Sequence, residues 1–174
     1  RRSDGEGELG EEVAEAIAEG TGVGWSPGRM EYGPRALGSR SILGDARRPE
    51  MQTVMNVKVK FRESFRPFAP AVLQEHVHEW FEARPGQESP YMLLVSQVHG
   101  GRMLRLPPEA AGAQGLDKLK LQRSVIPAVT HVDGSARLQS VDAGRHGLYH
   151  RLLEAFHRKT GCPVLVNTSF NLGW

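Results

Sequence analysis

The chain has 174 residues, which is close to the usual size of one globular domain. Hydrophobic residues make up 39% and charged residues 24%, an ordinary balance for a soluble fold with a packed core. No run approaches the ~20 consecutive apolar residues of a membrane span, so the sequence excludes an integral membrane protein. The single cysteine, Cys162, excludes a disulfide scaffold and a cysteine-rich zinc site, and we predict a cytoplasmic location.

Arginine carries most of the positive charge. The formal net charge is only +2 and the isoelectric point is about 8.9, but the 22 basic residues divide into 17 arginines and 5 lysines. Arginine makes planar, bidentate contacts with phosphate and carboxylate that lysine does not reproduce. The bias indicates an anionic ligand, although a GC-rich genome would give the same composition. The positions of the arginines in the sequence distinguish these two explanations.

The first half of the chain alternates predicted helices and short strands around one long loop. Apolar spacing, glycine and proline define these elements. They are, in order, a helix over Glu11–Glu19, a strand over Thr21–Trp25, a loop over Ser26–Gly38, a helix that starts at Pro49, a buried strand over Phe68–Leu73 and a short helix over Glu75–Glu82.

The second half continues the alternation. Its predicted elements are a strand over Tyr91–Val98, a surface insertion over 100–122, strands over Ser124–Val129 and Ala136–Val141, a helix over Leu148–Lys159 with Gly161 as its cap, and a buried strand over Pro163–Val166. Helices interspersed with apolar strands favour an α/β (α+β) fold with a twisted mixed open sheet and flanking helices. Because the chain stops soon after a core strand, we predict that residues 1–174 are one domain of a longer polypeptide.

The first motif whose residues could bind a ligand is the loop from Gly28 to Ser41. It holds Arg29, Arg35 and Arg40 among glycines that let the backbone approach a ligand. Such a loop can direct guanidinium and N–H donors into one concavity, as a phosphate site requires. The loop lacks the Lys-Ser/Thr ending of a P-loop. The alternative is a surface turn with solvated arginines.

The second motif runs from Asn56 to Pro70. Lys58 and Lys60 alternate with apolar residues, so an extended chain would place both lysines on one face. Arg62 and Arg66 continue the positive charge among phenylalanines, where partial burial strengthens the attraction for an anion. A basic and aromatic segment of this kind can also bind nucleic acid, or the phenylalanines can belong to the core.

The third motif is Asn167–Asn171, at the end of the last apolar strand. In open α/β sheets ligands bind beyond the carboxyl ends of strands, where Asn and Ser side chains can orient a planar amide or a phosphate. The alternative is a helix cap or a turn. Arg137, inside a predicted strand, needs a partner if its side chain points inward. The seven histidines are predicted to be structural or solvated rather than catalytic, although the turn at His131 can bring it near the site. Cys162 is predicted to be a buried thiol rather than a nucleophile, and no carboxylate cluster indicates a metal site.

Four segments together resemble the C-terminal domain of NodU/CmcH-type O-carbamoyltransferases, a family of nodulation-factor and antibiotic tailoring enzymes that includes the tobramycin carbamoyltransferase. The segments are Gly28–Leu43, Lys60–Pro70, His131–Arg137 and Asn167–Asn171. The similarity runs from about Val13 to the last residue, and the segment 100–122 falls outside it.

The resemblance implies a YrdC-like fold around a positively charged pocket. It implies that this domain condenses carbamoyl phosphate with ATP to carbamoyl adenylate and pyrophosphate, with Mg²⁺ delivered by the nucleotide. A preceding ASKHA-like domain of the same chain, which would hold Fe²⁺ or another divalent metal, would transfer the carbamoyl group to a hydroxyl of a small-molecule or sugar acceptor. That domain and a C-terminal tail would be missing from these 174 residues.

The resemblance also implies a set of site residues. The expected catalytic residues are Lys60, Arg66 and Ser169, and the expected ligand-binding residues are Arg35, Arg137, Asn167 and Arg40. An alternative function is a non-catalytic nucleotide- or RNA-binding module, since pockets of this kind are basic. A further possibility is that the domain alone is inactive because its partner domain completes the pocket. The acceptor contacts are expected in the missing domain.

Overall fold

A computed structural model describes residues 5–171. The helices and strands are α1 (Glu6–Ala18), β1 (Val23–Trp25), β2 (Ser41–Asp45), α2 (Pro49–Val54), a π-helix (Met55–Val59), β3 (Ala69–Leu73), α3 (Val77–Trp80), β4 (Val95–Gln97), β5 (Ser135–Arg137), β6 (Gln139–Val141), α4 (Ala143–Thr160) and β7 (Val164–Ser169). Short 3₁₀ turns cover Gln74–His76, Gly100–Arg102, Pro108–Gly112, Gly115–Lys120 and Pro127–Val129.

The main sheet is mixed and open. Its five strands follow the order β1-β2-β7-β3-β6, in which β3 and β6 are parallel and the other neighbours antiparallel. Strands β4 and β5 form a separate antiparallel pair. Helices flank the sheet, which confirms the predicted α/β class with a mixed open sheet.

The core lies around the central strands and helix α4. Every residue of β2 and β3 is buried, as are the first four residues of β7. Strand β3 and the start of β7 are apolar runs, whereas β2 also buries the polar residues Ser41 and Asp45. Helix α4 begins where the Asp142 carboxylate accepts a hydrogen bond from the Arg145 N–H at 3.0 Å, and it ends at Gly161, whose φ of 71° suits glycine. The predicted helix over Leu148–Lys159 is therefore confirmed, with an earlier start.

Three predicted strands differ from the structure. Residues Ser124–Val129 are not a strand, because the Ser124 hydroxyl bonds the Ile126 N–H at 3.1 Å and Pro127 begins a 3₁₀ turn. The strand predicted over Tyr91–Val98 shortens to β4, and its apolar alternation lies largely at the surface. The strand predicted over Ala136–Val141 divides at Leu138 into β5 and β6, which join different sheets.

The lysine-rich segment after α2 is not extended. It forms the π-helix Met55–Val59, followed by a turn at Phe61 with a φ of 48°. Lys58 is exposed and Lys60 is buried, so the two lysines do not share one face, and that prediction is wrong. The π-helix and the turn at Phe61 determine the directions of the cationic side chains in this segment.

Candidate active site

A small cleft of about 160 Å³ lies where β3, β5 and β7 meet the loop between β1 and β2. Twelve residues from five parts of the chain line it: Pro34, Arg35, Ala36, Arg62, Pro67, Phe68, Ala69, Met92, Arg137, Asn167, Thr168 and Ser169. Four of the residues expected from the sequence are among them, namely Arg35, Arg137, Asn167 and Ser169. Side chains that are up to 134 positions apart in the sequence therefore meet at one place.

Within the described part of the chain, three arginines of the cleft have no carboxylate partner. Other arginines among residues 5–171 form ion pairs, such as Arg47 with Asp45 at 2.7 Å. No ion pair of Arg35, Arg62 or Arg137 occurs among these residues. Burial lowers the pKa of the Arg137 guanidinium, and the nearby charge of Arg35 lowers that pKa further. An anion that enters the cleft would relieve this repulsion.

Arg62 reaches the cleft because two neighbours fix its side chain. Its Nε donates a hydrogen bond of 2.6 Å to Oδ1 of Asn56, a fully buried residue of the π-helix. Its guanidinium carbon lies 4.9 Å from the ring centre of Phe68, in cation–π geometry. Burial lowers the pKa of Arg62, and the charge of Arg66 adds to the effect.

Asn167 links β7 to the loop that carries Arg35. Its Nδ2 donates to the Ala36 carbonyl at 3.0 Å and to Oε1 of Gln139 at 2.7 Å. Gln139, which is fully buried in β6, in turn donates to the Leu37 carbonyl at 2.9 Å. Within the described part of the chain, Oδ1 of Asn167 and Nε of Arg137 are buried and have no hydrogen-bond partner. Two residues that line the cleft thus carry a buried polar atom without a partner, an acceptor on Asn167 and a donor on Arg137.

Glu31 and Gly38 fix the loop itself. Oε1 of Glu31 accepts hydrogen bonds of 2.6 Å from the N–H groups of Leu37 and Ser39. Gly38 has a φ of +108° and lies so close to Tyr149 that a Cβ there would be 2.3 Å from the ring. The Glu31 carboxylate therefore serves as a local cap, and the glycine allows the loop to rest on helix α4.

Arg40 braces the loop instead of lining the cleft. Its Nη2 donates to the Gly33 carbonyl at 2.7 Å, and its Nε lies 3.5 Å from the Glu31 carboxylate. Arg66 is exposed and also lies outside the lining, although its carbonyl accepts a 2.8 Å hydrogen bond from Asn56. The structure does not bring these two arginines into the group formed by Arg35, Arg62 and Arg137.

Lys60 is a neighbour of the cleft. Its Nζ donates to the Ser169 and Asn171 carbonyls, at 2.8 Å for the latter, and lies 3.1 Å from Oδ1 of Asn171. Lys60 therefore holds the end of β7, whose Ser169 lines the cleft. Burial, together with the charge of Arg62, lowers the pKa of the Lys60 ammonium to about 8.

Three residues that shape the cleft are not among the site residues expected from the sequence, namely Arg62, Asn56 and Gln139. No local pattern separates Arg62 from the other cations of its motif. Asn56 and Gln139 are polar residues inside apolar segments, which is the only signal in the sequence that could have marked them.

Larger clefts exist elsewhere. Two that share several lining residues, with volumes of about 500 and 480 Å³, lie between α2, the 61–67 segment and residues 119–133. Their arginine, Arg123, is already used, because it donates to the Lys118 and Leu121 carbonyls. Each of these two clefts therefore has one arginine in its lining, which donates to backbone carbonyls, whereas three arginines line the smaller cleft.

One cluster of possible metal ligands occurs among the described residues. It consists of Glu75, His150 and Glu154. Nε2 of His150 lies 3.1 Å from Glu75, and its Nδ1 lies 3.5 Å from Glu154, so each ring nitrogen already faces a carboxylate. The His150 ring thus joins α4 to the turn before α3 by side-chain contacts.

The fold and the cleft define an α/β domain that can hold an anionic ligand. The chain belongs to the carbamoyltransferase family, because residues 14–173 match the family model described as "Carbamoyltransferase C-terminus". This result confirms the family resemblance found in the sequence. Within residues 5–171, no helix has the length and apolar content that a membrane crossing needs.

Three relatives illustrate the range of the family. An uncharacterized protein of Synechocystis is 54% identical over 92% of this chain, which covers 26% of the relative. The nodulation protein NolNO of Sinorhizobium fredii is 43% identical over 91% of this chain and 21% of the relative. The 3'-hydroxymethylcephem-O-carbamoyltransferase of Streptomyces clavuligerus is 37% identical over 91% of this chain and 26% of the relative. The chain thus spans about a quarter of the length of these relatives.

Proposed function

We propose that this domain activates carbamoyl phosphate with ATP to form carbamoyl adenylate, as one half of an O-carbamoyltransferase. The observation that carries the proposal is a group of three arginines in one cleft that have no carboxylate partner among the described residues. A relative named 3'-hydroxymethylcephem-O-carbamoyltransferase supports carbamoyl transfer as the overall reaction. The hydroxyl acceptor and its transfer site would belong to the N-terminal domain of a longer chain.

The reaction balances with one water molecule. Water releases phosphate from carbamoyl phosphate and leaves carbamate, and a carbamate oxygen then attacks the α-phosphorus of ATP. The new oxygen–phosphorus bond forms as the bond to pyrophosphate breaks. The carbamate oxygen is already an anion and needs no general base, which suits a cleft lined by arginine and neutral polar groups.

The chain's own residues would act by charge and position. Two phosphate-bearing substrates repel each other, and the guanidinium groups of Arg35, Arg62 and Arg137 would offset that repulsion and hold the reacting groups in line. Asn167 and Ser169 would orient the carbamoyl group. We propose that Lys60 and Arg40 act from outside the cleft, by fixing β7 and the loop.

The cleft fits phosphate but offers no carboxylate to a metal ion. Its lining residues, all of them described, include no aspartate or glutamate, whereas Mg²⁺ in such sites is held by carboxylates and substrate phosphates. We therefore propose that Mg²⁺ arrives with the nucleotide and is held by its phosphates. A cytoplasmic location, where ATP is available, fits this proposal.

The test is exchange of labelled pyrophosphate into ATP that depends on carbamoyl phosphate. We expect exchange by the wild-type chain and its loss in Arg137→Ala, with Arg84→Ala, an exposed arginine outside the cleft, as the matched control. ATP binding without exchange would indicate that a further domain completes the site. Salt-sensitive RNA binding without ATP binding and without exchange would favour the alternative function, a nucleic-acid-binding module.

A further inference from the structure

The motif Lys60–Pro70 contains three cations, and the structure separates their roles. Among them only Arg62 lines the cleft. The Lys60 ammonium is used on carbonyl groups at the end of β7, and Arg66 is exposed outside the lining. The charge that this motif contributes to the cleft is therefore that of Arg62.

Asn56 determines where Arg62 points. Its Oδ1 accepts the hydrogen bond from Arg62 Nε at 2.6 Å, and its carbonyl accepts from the Arg62 N–H at 3.1 Å. Its Nδ2 donates to the Ser64 and Arg66 carbonyls at 3.0 and 2.8 Å. One fully buried side chain thus fixes both the turn that follows the π-helix and the guanidinium that this turn carries.

The backbone around Arg62 is shaped for this contact. Phe61 adopts a φ of +48°, a left-handed conformation that is unfavourable for a non-glycine residue. The π-helix, a form often found at functional sites, places Asn56 beneath the turn. Strained backbone of this kind persists where surrounding contacts impose it.

The orientation leaves the binding end of the guanidinium free. Nε is committed to Asn56 and the face of the group lies against Phe68, while neither Nη atom has a hydrogen-bond partner among the described residues. The two Nη groups can therefore present a fork that matches two oxygens of a phosphate. A lysine at this position could not hold Asn56 and a phosphate oxygen in the same way.

We infer that Arg62 is a phosphate-binding residue of the cleft and that Asn56 is its positioning residue. The inference deepens the proposed function and rests on it for the phosphate-bearing substrate. Asn56 does not touch the ligand in this assignment, and its effect on binding passes through Arg62 alone.

The experiment is a double-mutant cycle on affinity for two probes, ATP and pyrophosphate, measured by titration calorimetry. A hydrogen bond to a charged group contributes about 1.5–3 kcal/mol, so Arg62→Ala should weaken both probes about tenfold to a hundredfold. Asn56→Ala should weaken binding about threefold to tenfold when Arg62 is present and less than about twofold in the Arg62→Ala background. Arg84→Ala is the control for loss of an arginine outside the cleft.

A second variant guards against misfolding. Gln52→Ala loses the two bonds that Gln52 Nε2 donates to the Phe65 and Arg66 carbonyls at 3.0 and 3.1 Å but leaves Asn56 on Arg62, so it should melt at a lower temperature and still bind within about threefold of wild type. Wild-type affinity in Arg62→Ala would overturn the inference and leave the proposed function standing. Equal losses from Asn56→Ala in both backgrounds would overturn the positioning role. A wild-type chain that binds neither probe would overturn the proposed function, and the inference with it.

Discussion

The side-chain oxygen of Asn167 should distinguish carbamoyl phosphate from acetyl phosphate. The two molecules have nearly the same shape, but an amino group that can donate a hydrogen bond replaces a methyl group that cannot. Asn167 is only 2% exposed, and both hydrogens of its Nδ2 are used on Ala36 and Gln139. Its Oδ1 has no partner among the described residues, so a donor on the ligand would satisfy it.

The expected preference follows from the cost of an unpaired buried acceptor. That cost is about 1–3 kcal/mol, and 1.4 kcal/mol corresponds to a tenfold change in affinity. The wild-type chain should therefore bind carbamoyl phosphate about 5- to 100-fold more tightly than acetyl phosphate. In Asn167→Ala the acceptor is gone, and the ratio of the two affinities should approach one.

Calorimetric titration with freshly dissolved ligands gives both affinities. Arg137→Ala is the matched comparison, because loss of a shared phosphate contact should weaken both ligands to the same extent and leave their ratio unchanged. Thermal unfolding of each variant checks that the fold is retained. Equal binding of the two ligands by the wild-type chain, or an unchanged ratio in Asn167→Ala, would refute the reasoning.

Three further predictions concern the surroundings of the cleft. Gly38→Ala would place a Cβ 2.3 Å from the Tyr149 ring at a φ of +108°, so urea denaturation should show a loss of about 2–5 kcal/mol in the free energy of unfolding. In the control Gly28→Ala the new Cβ meets nothing within 4 Å, and the loss should be less than about 0.5 kcal/mol. Equal losses in the two variants would exclude the Tyr149 contact as the cause. Because the pKa of Lys60 is lowered to about 8, its charge beside the cleft is present at neutral pH and lost as the pH rises through that value. ATP affinity should therefore fall from about pH 7 to about pH 9, whereas Lys60→Met should bind with a flat profile, and a parallel fall in both proteins would contradict the assignment. Burial raises the pKa of the Cys162 thiol to about 12, so a thiol reagent at neutral pH should label it only after denaturation; rapid labelling of the native chain would show that the thiol is accessible.

Much of the fold follows from local sequence signals. The apolar runs that form β3 and β7, and the periodic helix α4 that ends at Gly161, are each determined by residues adjacent in the chain. The same holds for the glycine-rich loop that carries Arg35. Local composition decides such elements because burial of a continuous apolar run, or a glycine at a positive φ, requires no information from distant residues.

Strand lengths and sheet membership were less predictable. The apolar alternation of Tyr91–Val98 gave the right kind of element but the wrong length, and the segment Ala136–Val141 serves two sheets. Pairing depends on which distant strand is available as a neighbour, and the Leu138 N–H bonds the Leu94 carbonyl between the two strands. A pattern read along one strand cannot specify that partner.

The sequence by itself determined that this protein is an arginine-rich α/β domain of the carbamoyltransferase family, since its motifs and apolar runs are visible in one dimension. Only the tertiary structure decided that Arg62, and not Lys60 or Arg66, faces the cleft with Arg35 and Arg137. The reason is geometric: the direction of each cation depends on the π-helix, on the turn at Phe61 and on the buried side chain of Asn56. Those contacts join residues several positions apart through hydrogen bonds that have no periodicity in the sequence.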